Sequence, residues 1–410
     1  MKKYRDVPDL SSELVTEILS RLPVKTIIRF TSVSKSWKSL IIHDPSFVKM
    51  HLSRSPKNTH IILSLEEDSM NVENKDTLVV PCSVRCLMED PWSAIKGAGC
   101  YQLKYNYFIV GSCNGLVCLG YFCDDRKIKE LWVWLWNPAT NLRSKKSPPF
   151  RMKIKNSEYA SWRKISYGFG YDHSRDTYKV SKNSKSNPFV VVVHWDRTKQ
   201  KMETMVHYMG DIYWRNILSD HSSPNLLEQI EGQFVGGCVN WLALENVNGP
   251  NYQWVNVTLQ QLVIASFDMS KEVYMYLPIP EGVSEVPHFE PNLGVLRNHM
   301  CFFHDHNKTH FVVWKMREYG IRGSWTRLVS VTYEHLKCDG ILYRPLPLCL
   351  SEDGDIILLE STEDLEVIKY NIRDNIAEYI QIPINEVSLK ADGYVPSLVS
   401  PFQDKEDGRD

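Results

Sequence analysis

The sequence predicts a small all-α unit of three short helices followed by an all-β propeller of about six blades. Three observations carry this: helical apolar spacing confined to the first stretch of the chain, short β-rich runs from Ile61 onward, and a strand–turn–strand phrase recurring at a blade-like interval.

The helical unit comes first. Leu14, Ile18, Leu19 and Leu22 fall at helical spacing behind the capping residues Ser11 and Ser12, with Glu13 and Glu17 in the first turns and Pro23 as the stop. A second segment carries Val24, Ile27 and Ile28. A third carries Val33, Trp37, Leu40 and Ile41 and is stopped near Asp44-Pro45. So small a unit buries too little apolar surface to be very stable alone, so part of its apolar face is expected to meet another surface. It is also electrically distinct: residues 1–54 hold 10 Lys/Arg against 5 Asp/Glu, whereas the rest of the chain holds 38 against 44.

The predicted boundaries are 1–52 for the helical unit, 53–60 (SRSPKNTH) for a linker, 61–401 for the β domain and 402–410 for a disordered tail. The acidic stretch 66–78 reads as a mobile loop. Within the β domain one phrase, a strand ending in an aromatic, a polar turn and a return strand, appears as LWVWLWNPATNLRSKKSPP, LVIASFDMSKEVYMYLPIP and LEVIKYNIRDNIAEYIQIP. A variant with Trp in the return strand appears as MVHYMGDIYWRNI and FVVWKMREYGIRGSWTRL. The aromatics before the turns, Trp136, Tyr208, Phe267, Trp314 and Tyr370, are separated by 72, 59, 47 and 56 residues. Such intervals suit one four-stranded blade each. A β-sandwich shows similar strands, but a closed ring hides the sheet edges that so many short strands would expose. Closure is expected between GYVPSLVS (393–400) and HIILSL (60–65).

Composition and motifs exclude more chemistry than they suggest. With 48 Lys+Arg against 49 Asp+Glu, net charge −1, a nucleic-acid binder relying on overall basic charge is disfavoured. Ten Cys in 410 residues are too dilute for a disulfide scaffold and read as reduced thiols. The start lacks an apolar signal region, and no apolar run approaches the roughly 18 residues that span a bilayer. A soluble intracellular protein of cytoplasm or nucleus is expected, with no membrane partner, and the sequons at Asn256 and Asn307 carry little weight. Cys301, His304, His306 and His310 cluster in CFFHDHNKTH, but they lie where a hairpin turn is expected and read as exposed turn residues rather than metal ligands. Cys113, Cys118 and Cys123 have no tetrahedral spacing. YGFGYD (167–172) has Gly168 and Gly170, but His173 stands at the third glycine position of a dinucleotide fingerprint. No nucleophile elbow or P-loop occurs. Trp132, Trp134, Trp136, Trp195, Trp214, Trp241, Trp254, Trp314 and Trp325 read mainly as packing between blades. No metal or cofactor is expected.

Residues 8–51 resemble an F-box in Leu10, Glu13-Leu14, Ile18-Leu19, Leu22-Pro23-Val24-Lys25, the run Val33-Ser34-Lys35-Ser36-Trp37, and Asp44-Pro45 followed by Phe47. Downstream, SCNGL, NPAT, YGFGYD and SLVSP resemble the F-box-associated β-propeller of plant F-box proteins, the group that includes kelch-like and S-locus F-box types. Ser11 departs from the pattern, since many relatives have Pro there. The resemblance implies a non-catalytic substrate receptor of a Skp–cullin–F-box ubiquitin ligase. Its Skp-type adaptor, and through it a cullin, would dock on Leu10, Leu14, Ile18, Leu22, Pro23, Val24, Ile28, Val33 and Trp37. The propeller would hold a protein target that the sequence does not name. Two alternatives stay open: a propeller enzyme or small-ligand sensor with a helical cap, which predicts convergent titratable groups at a central pocket, and a non-degradative interaction protein that binds the adaptor.

Overall fold

The computed structural model describes residues 11–67, 77–97, 101–103, 107–125, 128–153, 165–171, 188–196, 201–217, 224–227, 229–247, 252–338, 345–361, 366–381 and 387–401. Leu10, His173, the acidic residues 68–76 and the tail 402–410 lie outside them.

Four helices open the fold: α1 (Ser12–Leu19), α2 (Val24–Phe30), α3 (Lys35–His43) and α4 (Pro45–Arg54). Side chains start three of them. Ser11 accepts from Leu14 N, Ser34 from Trp37 N, and Asp44 from Ser46 N and Phe47 N. The fourth helix begins where the sequence reading ended the bundle. Asp44-Pro45 does stop α3, but it is also an N-cap followed by proline at the first helical position, which starts α4. α4 runs past the expected boundary at residue 52, so the connection to the ring shortens to Ser55–Thr59.

The described strands then form six sheets, one per blade. Blade 1 holds β1 (His60–Glu67), β2 (Thr77–Ser83) and β3 (Tyr101–Leu103), with α5 (Val84–Glu89) and α6 (Pro91–Gly97) between the last two. Blade 2 holds β4 (Tyr107–Cys113), β5 (Leu116–Asp125), β6 (Ile128–Asn137), β7 (Leu142–Arg143) and β8 (Phe150–Lys153). Blade 3 holds β9 (Ile165–Tyr171), β10 (Pro188–Asp196), β11 (Lys201–Tyr208) and β12 (Arg215–Asn216). Blade 4 holds β13 (Asn225–Leu226), β14 (Gln233–Val235), β15 (Cys238–Leu244), β16 (Leu262–Asp268) and β17 (Val273–Pro278). Blade 5 holds β18 (Asn292–Leu296), β19 (His299–His306), β20 (His310–Met316) and β21 (Trp325–Thr332). Blade 6 holds β22 (Leu346–Leu350), β23 (Ile356–Ser361), β24 (Glu366–Asn371) and β25 (Ile376–Gln381).

The last strand, β26 (Val387–Tyr394), joins blade 1 rather than a blade of its own and pairs antiparallel with β1, His60 opposite Tyr394. The two ends of the β domain therefore close the ring, as expected, but through 387–394 and not 393–400. Only Gly393 and Tyr394 of the expected run pair; Pro396 has no N–H to give a ladder, and the chain leaves the sheet there. Apolar clusters fill the spaces between blades. Trp241 and Phe267 sit with Phe189 and Tyr208, and Trp136 sits with Ile62 and Val117. Gly168 and Gly170 belong to this packing: a Cβ on Gly168 would meet Val239 Cγ1 at 2.2 Å. They are close-approach glycines of an inner strand.

The recurring phrase proves to be the third and fourth strands of blades 2 to 6. In blades 2, 4 and 6 its turn is an Asx turn: Asn137 Oδ1 accepts from Ala139 N, Asp268 Oδ1 from Ser270 N, and Asn371 Oδ1 from Arg373 N. Left-handed residues close these turns, Asn141, Glu272 and Asn375.

Candidate functional site: the helical docking unit and its seat on the ring

The helical unit has a small finished core. Leu19, Ile27, Ile41 and Phe47 are buried, with Val15, Leu22, Phe30, Trp37, Leu40 and Met50 packed around them. Polar contacts tie α4 back to α1. Glu17 bridges Arg21 and Arg54, Arg54 also donates to Ser20 Oγ, and the His51 ring bonds Leu22 O at 2.9 Å. Burial lowers the pKa of His51, so the ring stays neutral inside this contact.

Among the charged and polar residues of its surface, the unit leaves several apolar side chains uncovered. Leu14 and Ile18, one helical turn apart on the same side of α1, are 52% and 50% exposed, and Val33 in the turn between α2 and α3 is 61% exposed. Pro23 is exposed, whereas Ile28, Leu22 and Trp37 are half-buried. Trp37 packs edge-on against Phe30 at 5.8 Å. Val24 must be taken off the expected docking set: at 3% exposure it offers no surface. Sequence reasoning missed Ile42, 51% exposed beside the buried Ile41, because helical spacing alone does not say which of two adjacent isoleucines faces out.

One side chain of the helical core comes from elsewhere. Leu398, from the segment that leaves β26, packs into it. This segment is held by residues far apart in sequence. Asn137 Nδ2 donates to Ser397 O and Val399 O at 3.0 and 2.8 Å, and Ser397 Oγ donates to Asn114 O at 3.0 Å. The strap passes directly over Gly115, where a Cβ would lie 2.1 Å from Ser397 Oγ. The strings SCNGL, NPAT and SLVSP thus meet in one contact. It lies at the end of the ring where β1 begins and β26 finishes, the end at which the helices join.

The ring encloses a central channel of about 780 Å³ lined by the first strands of the blades and the segments before them. Inside it Lys390 Nζ pairs with Glu231 Oε1 at 3.0 Å and the Tyr167 hydroxyl donates to the same carboxylate at 3.4 Å. Burial, reinforced by Glu231 and opposed by Lys390, pushes the Asp392 carboxyl up to about 6. The convergent groups that a ligand-binding propeller would show are therefore present as a set that largely pairs with itself across the bore.

The histidine cluster is split between two paired strands, β19 and β20. His304 is not an exposed turn residue as expected; it is 5% exposed on β19, and only Asn307 and Lys308 make the left-handed turn. The Trp314 indole donates to His304 Nε2 at 3.1 Å, so Nδ1 carries the proton and gives it to Asp305 O at 2.8 Å. Both ring nitrogens are committed. Among the described residues no group of three or more His, Cys, Asp or Glu is placed to hold a metal. The nine described cysteines are free thiols, and burial pushes Cys113 and Cys301 up to about 12. No described helix is long and apolar enough to cross a membrane.

Residues 7–49 match the F-box domain family, and residues 68–401 match the F-box associated beta propeller domain. The chain belongs to the F-box proteins with an F-box associated propeller. Among its relatives in Arabidopsis thaliana are F-box/kelch-repeat protein At3g23880, 28% identical with 96% of each chain covered, and F-box protein CPR1, 24% identical with 94% of this chain and 88% of the relative covered. The four helices are thus the F-box, the six sheets its associated propeller, and the strap is the propeller's contribution to the F-box core.

Proposed function

We propose that this F-box protein is the substrate-recognition subunit of a Skp–cullin–F-box ubiquitin ligase, acting by scaffolding rather than by catalysis. The observation that carries the reading is the apolar surface of the F-box. Leu14, Ile18 and Val33 remain open although the core beneath them is complete and the ring covers the helices elsewhere through Leu398. Pro23 is exposed and Leu22, Ile28 and Trp37 are half-buried on the same unit, and the Skp-type adaptor would bury them together with the open residues. The basic balance of residues 1–54 suits an acidic adaptor, mainly by speeding encounter. The adaptor brings the cullin, and the propeller holds a protein target so that a target lysine meets the charged conjugating enzyme at high effective concentration.

The target face is the end of the ring away from the F-box. There the connections between successive blades and the turns such as His306–His310 are free to vary without disturbing strand packing.

The test is co-purification of the full chain with Skp adaptor and cullin, comparing wild type with a Leu14→Asp, Ile18→Asp double variant. Both positions are half-exposed, so the variant should unfold at the same temperature as wild type while losing both partners. Wild type that recovers neither partner, or a folded variant that recovers both equally well, overturns the reading.

A further inference from the structure

We propose that blade 2 carries an aromatic cage for a quaternary or methylated ammonium group, occupied in this structure by the chain's own Lys146. The Lys146 ammonium lies 6.0 Å from the ring centre of Tyr107, 5.3 Å from that of Tyr121 and 5.4 Å from that of Trp134. The three rings form a concave wall: Tyr107 meets Trp134 at 5.0 Å and 87°, and Tyr121 at 4.8 Å and 40°. They come from three adjacent strands, β4, β5 and β6, with Tyr107 directly opposite Tyr121 in the ladder.

The backbone around Lys146 is fixed independently of the rings. Ser144 exchanges bonds with Leu135, its N donating to Leu135 O at 2.8 Å and its Oγ accepting from Leu135 N at 2.8 Å. Ser147 does the same with Val133, at 2.7 and 3.0 Å. These clamps set Lys146 beside Trp134 but leave its exposed side chain free to turn to water. No carboxylate among the described residues pairs with it. The ammonium lies over three rings all the same, as their negative faces favour.

A primary ammonium is a poor guest for such a wall, because it gives up strong hydration to enter. Each added methyl lowers that cost while keeping the charge, so a methylated ammonium is the better occupant and can displace Lys146. Tyr107 starts β4, at the end of the ring away from the F-box. As a statement about the target's chemistry this inference rests on the receptor reading; the ammonium site itself does not.

The test is calorimetric titration of the full chain with tetramethylammonium, using neutral tert-butanol as the isostere. Lys146→Ala should bind tetramethylammonium about tenfold more tightly than wild type, since the tethered competitor is gone. It should not bind tert-butanol, and adding Tyr121→Ala should abolish binding while the thermal transition shows that the ring is intact. Titration with choline and with a short trimethyl-lysine peptide then distinguishes a free small molecule from a target side chain as the source. A Lys146→Ala protein that takes up no ammonium, or takes up tert-butanol equally well, overturns the proposal. Either failure leaves adaptor docking, which is read on the F-box, untouched.

Discussion

Asn137→Asp tests the strap that seats the F-box, because it changes one buried atom's role and little else. Asn137 is 0% exposed; its Oδ1 accepts from Ala139 N and Thr140 N, and its Nδ2 donates to Ser397 O and Val399 O. Aspartate keeps the turn but removes both donors and turns a carboxylate toward two carbonyls. Two lost bonds at about 1 kcal/mol each, plus the cost of leaving buried acceptors without a donor, make roughly 3–5 kcal/mol. The penalty has a pH signature. A carboxyl there is stabilised by protonation, which restores one donor, so its folded pKa lies above its unfolded value near about 3.9. The penalty is then full above the folded pKa and shrinks as pH falls through it. Urea unfolding of wild type, Asn137→Asp and Asn137→Ala at about pH 7.5 and about pH 5 reads this directly. The Asp penalty should shrink by at least about 1 kcal/mol relative to wild type at the lower pH, while the Ala penalty stays flat. An Asp variant within about 0.5 kcal/mol of wild type at the higher pH would refute the argument, and so would an Asp penalty that ignores pH.

Other expectations follow from the same structure. Leu398→Ala removes a half-buried leucine from the F-box core and should cost about 1–2 kcal/mol, seen as faster proteolysis in Ser55–Thr59 with the ring's own transition unmoved. His51, His60, His207 and His304 all have pKa values lowered mainly by burial, so the unfolded chain takes up protons first as pH falls. Stability should decline as pH drops below about 6.5; a melting temperature unchanged between about pH 7 and about pH 5.5 would contradict it. Asp392 has the opposite sign: with its carboxyl pushed up to about 6, the cost of ionising it grows as pH rises from about 4 through about 6. Asp392→Asn should therefore stabilise the ring by about 1–3 kcal/mol above neutrality and by nothing at about pH 4, as thermal unfolding at the two pH values would show.

Local chemistry was readable in the sequence, and long-range chemistry was not. The recurring phrase identified the outer strand pairs of five blades because strand, turn and return strand follow one another within about twenty positions; in blades 2, 4 and 6 an Asx turn closed by a left-handed residue, as in Asn137 to Asn141, makes the signal sharper. The apolar face of α1 was readable for the same reason, through the one-turn spacing of Leu14 and Ile18. Asp44-Pro45 was ambiguous because the same pair ends one helix and starts the next. The register of closure was hidden, since His60 opposite Tyr394 is fixed by the whole ring between them. Burial of His304 depends on Trp314 reaching it across the ladder, and alternation near a turn does not reveal that. Leu398 carries no local signal at all: the contact of SLVSP with NPAT exists only once the ring has closed.

That contact changes what the F-box can do for the propeller. With only Ser55–Thr59 joining them, a flexible chain of this length spans roughly 12 Å on average and would let the ring swing about the F-box. The strap adds a second attachment from the far end of the chain, so the helices are held by β1 on one side and by Leu398 on the other. Two attachments at one end of the ring fix the direction in which the opposite end points. In a ligase, transfer falls off as the target lysine's accessible volume grows, so a rigid mount raises effective concentration for lysines within its reach and excludes those outside it. Loosening the strap should therefore broaden which lysines of a bound target are modified and slow each one, whereas damage to the exposed F-box surface should abolish modification at all of them alike.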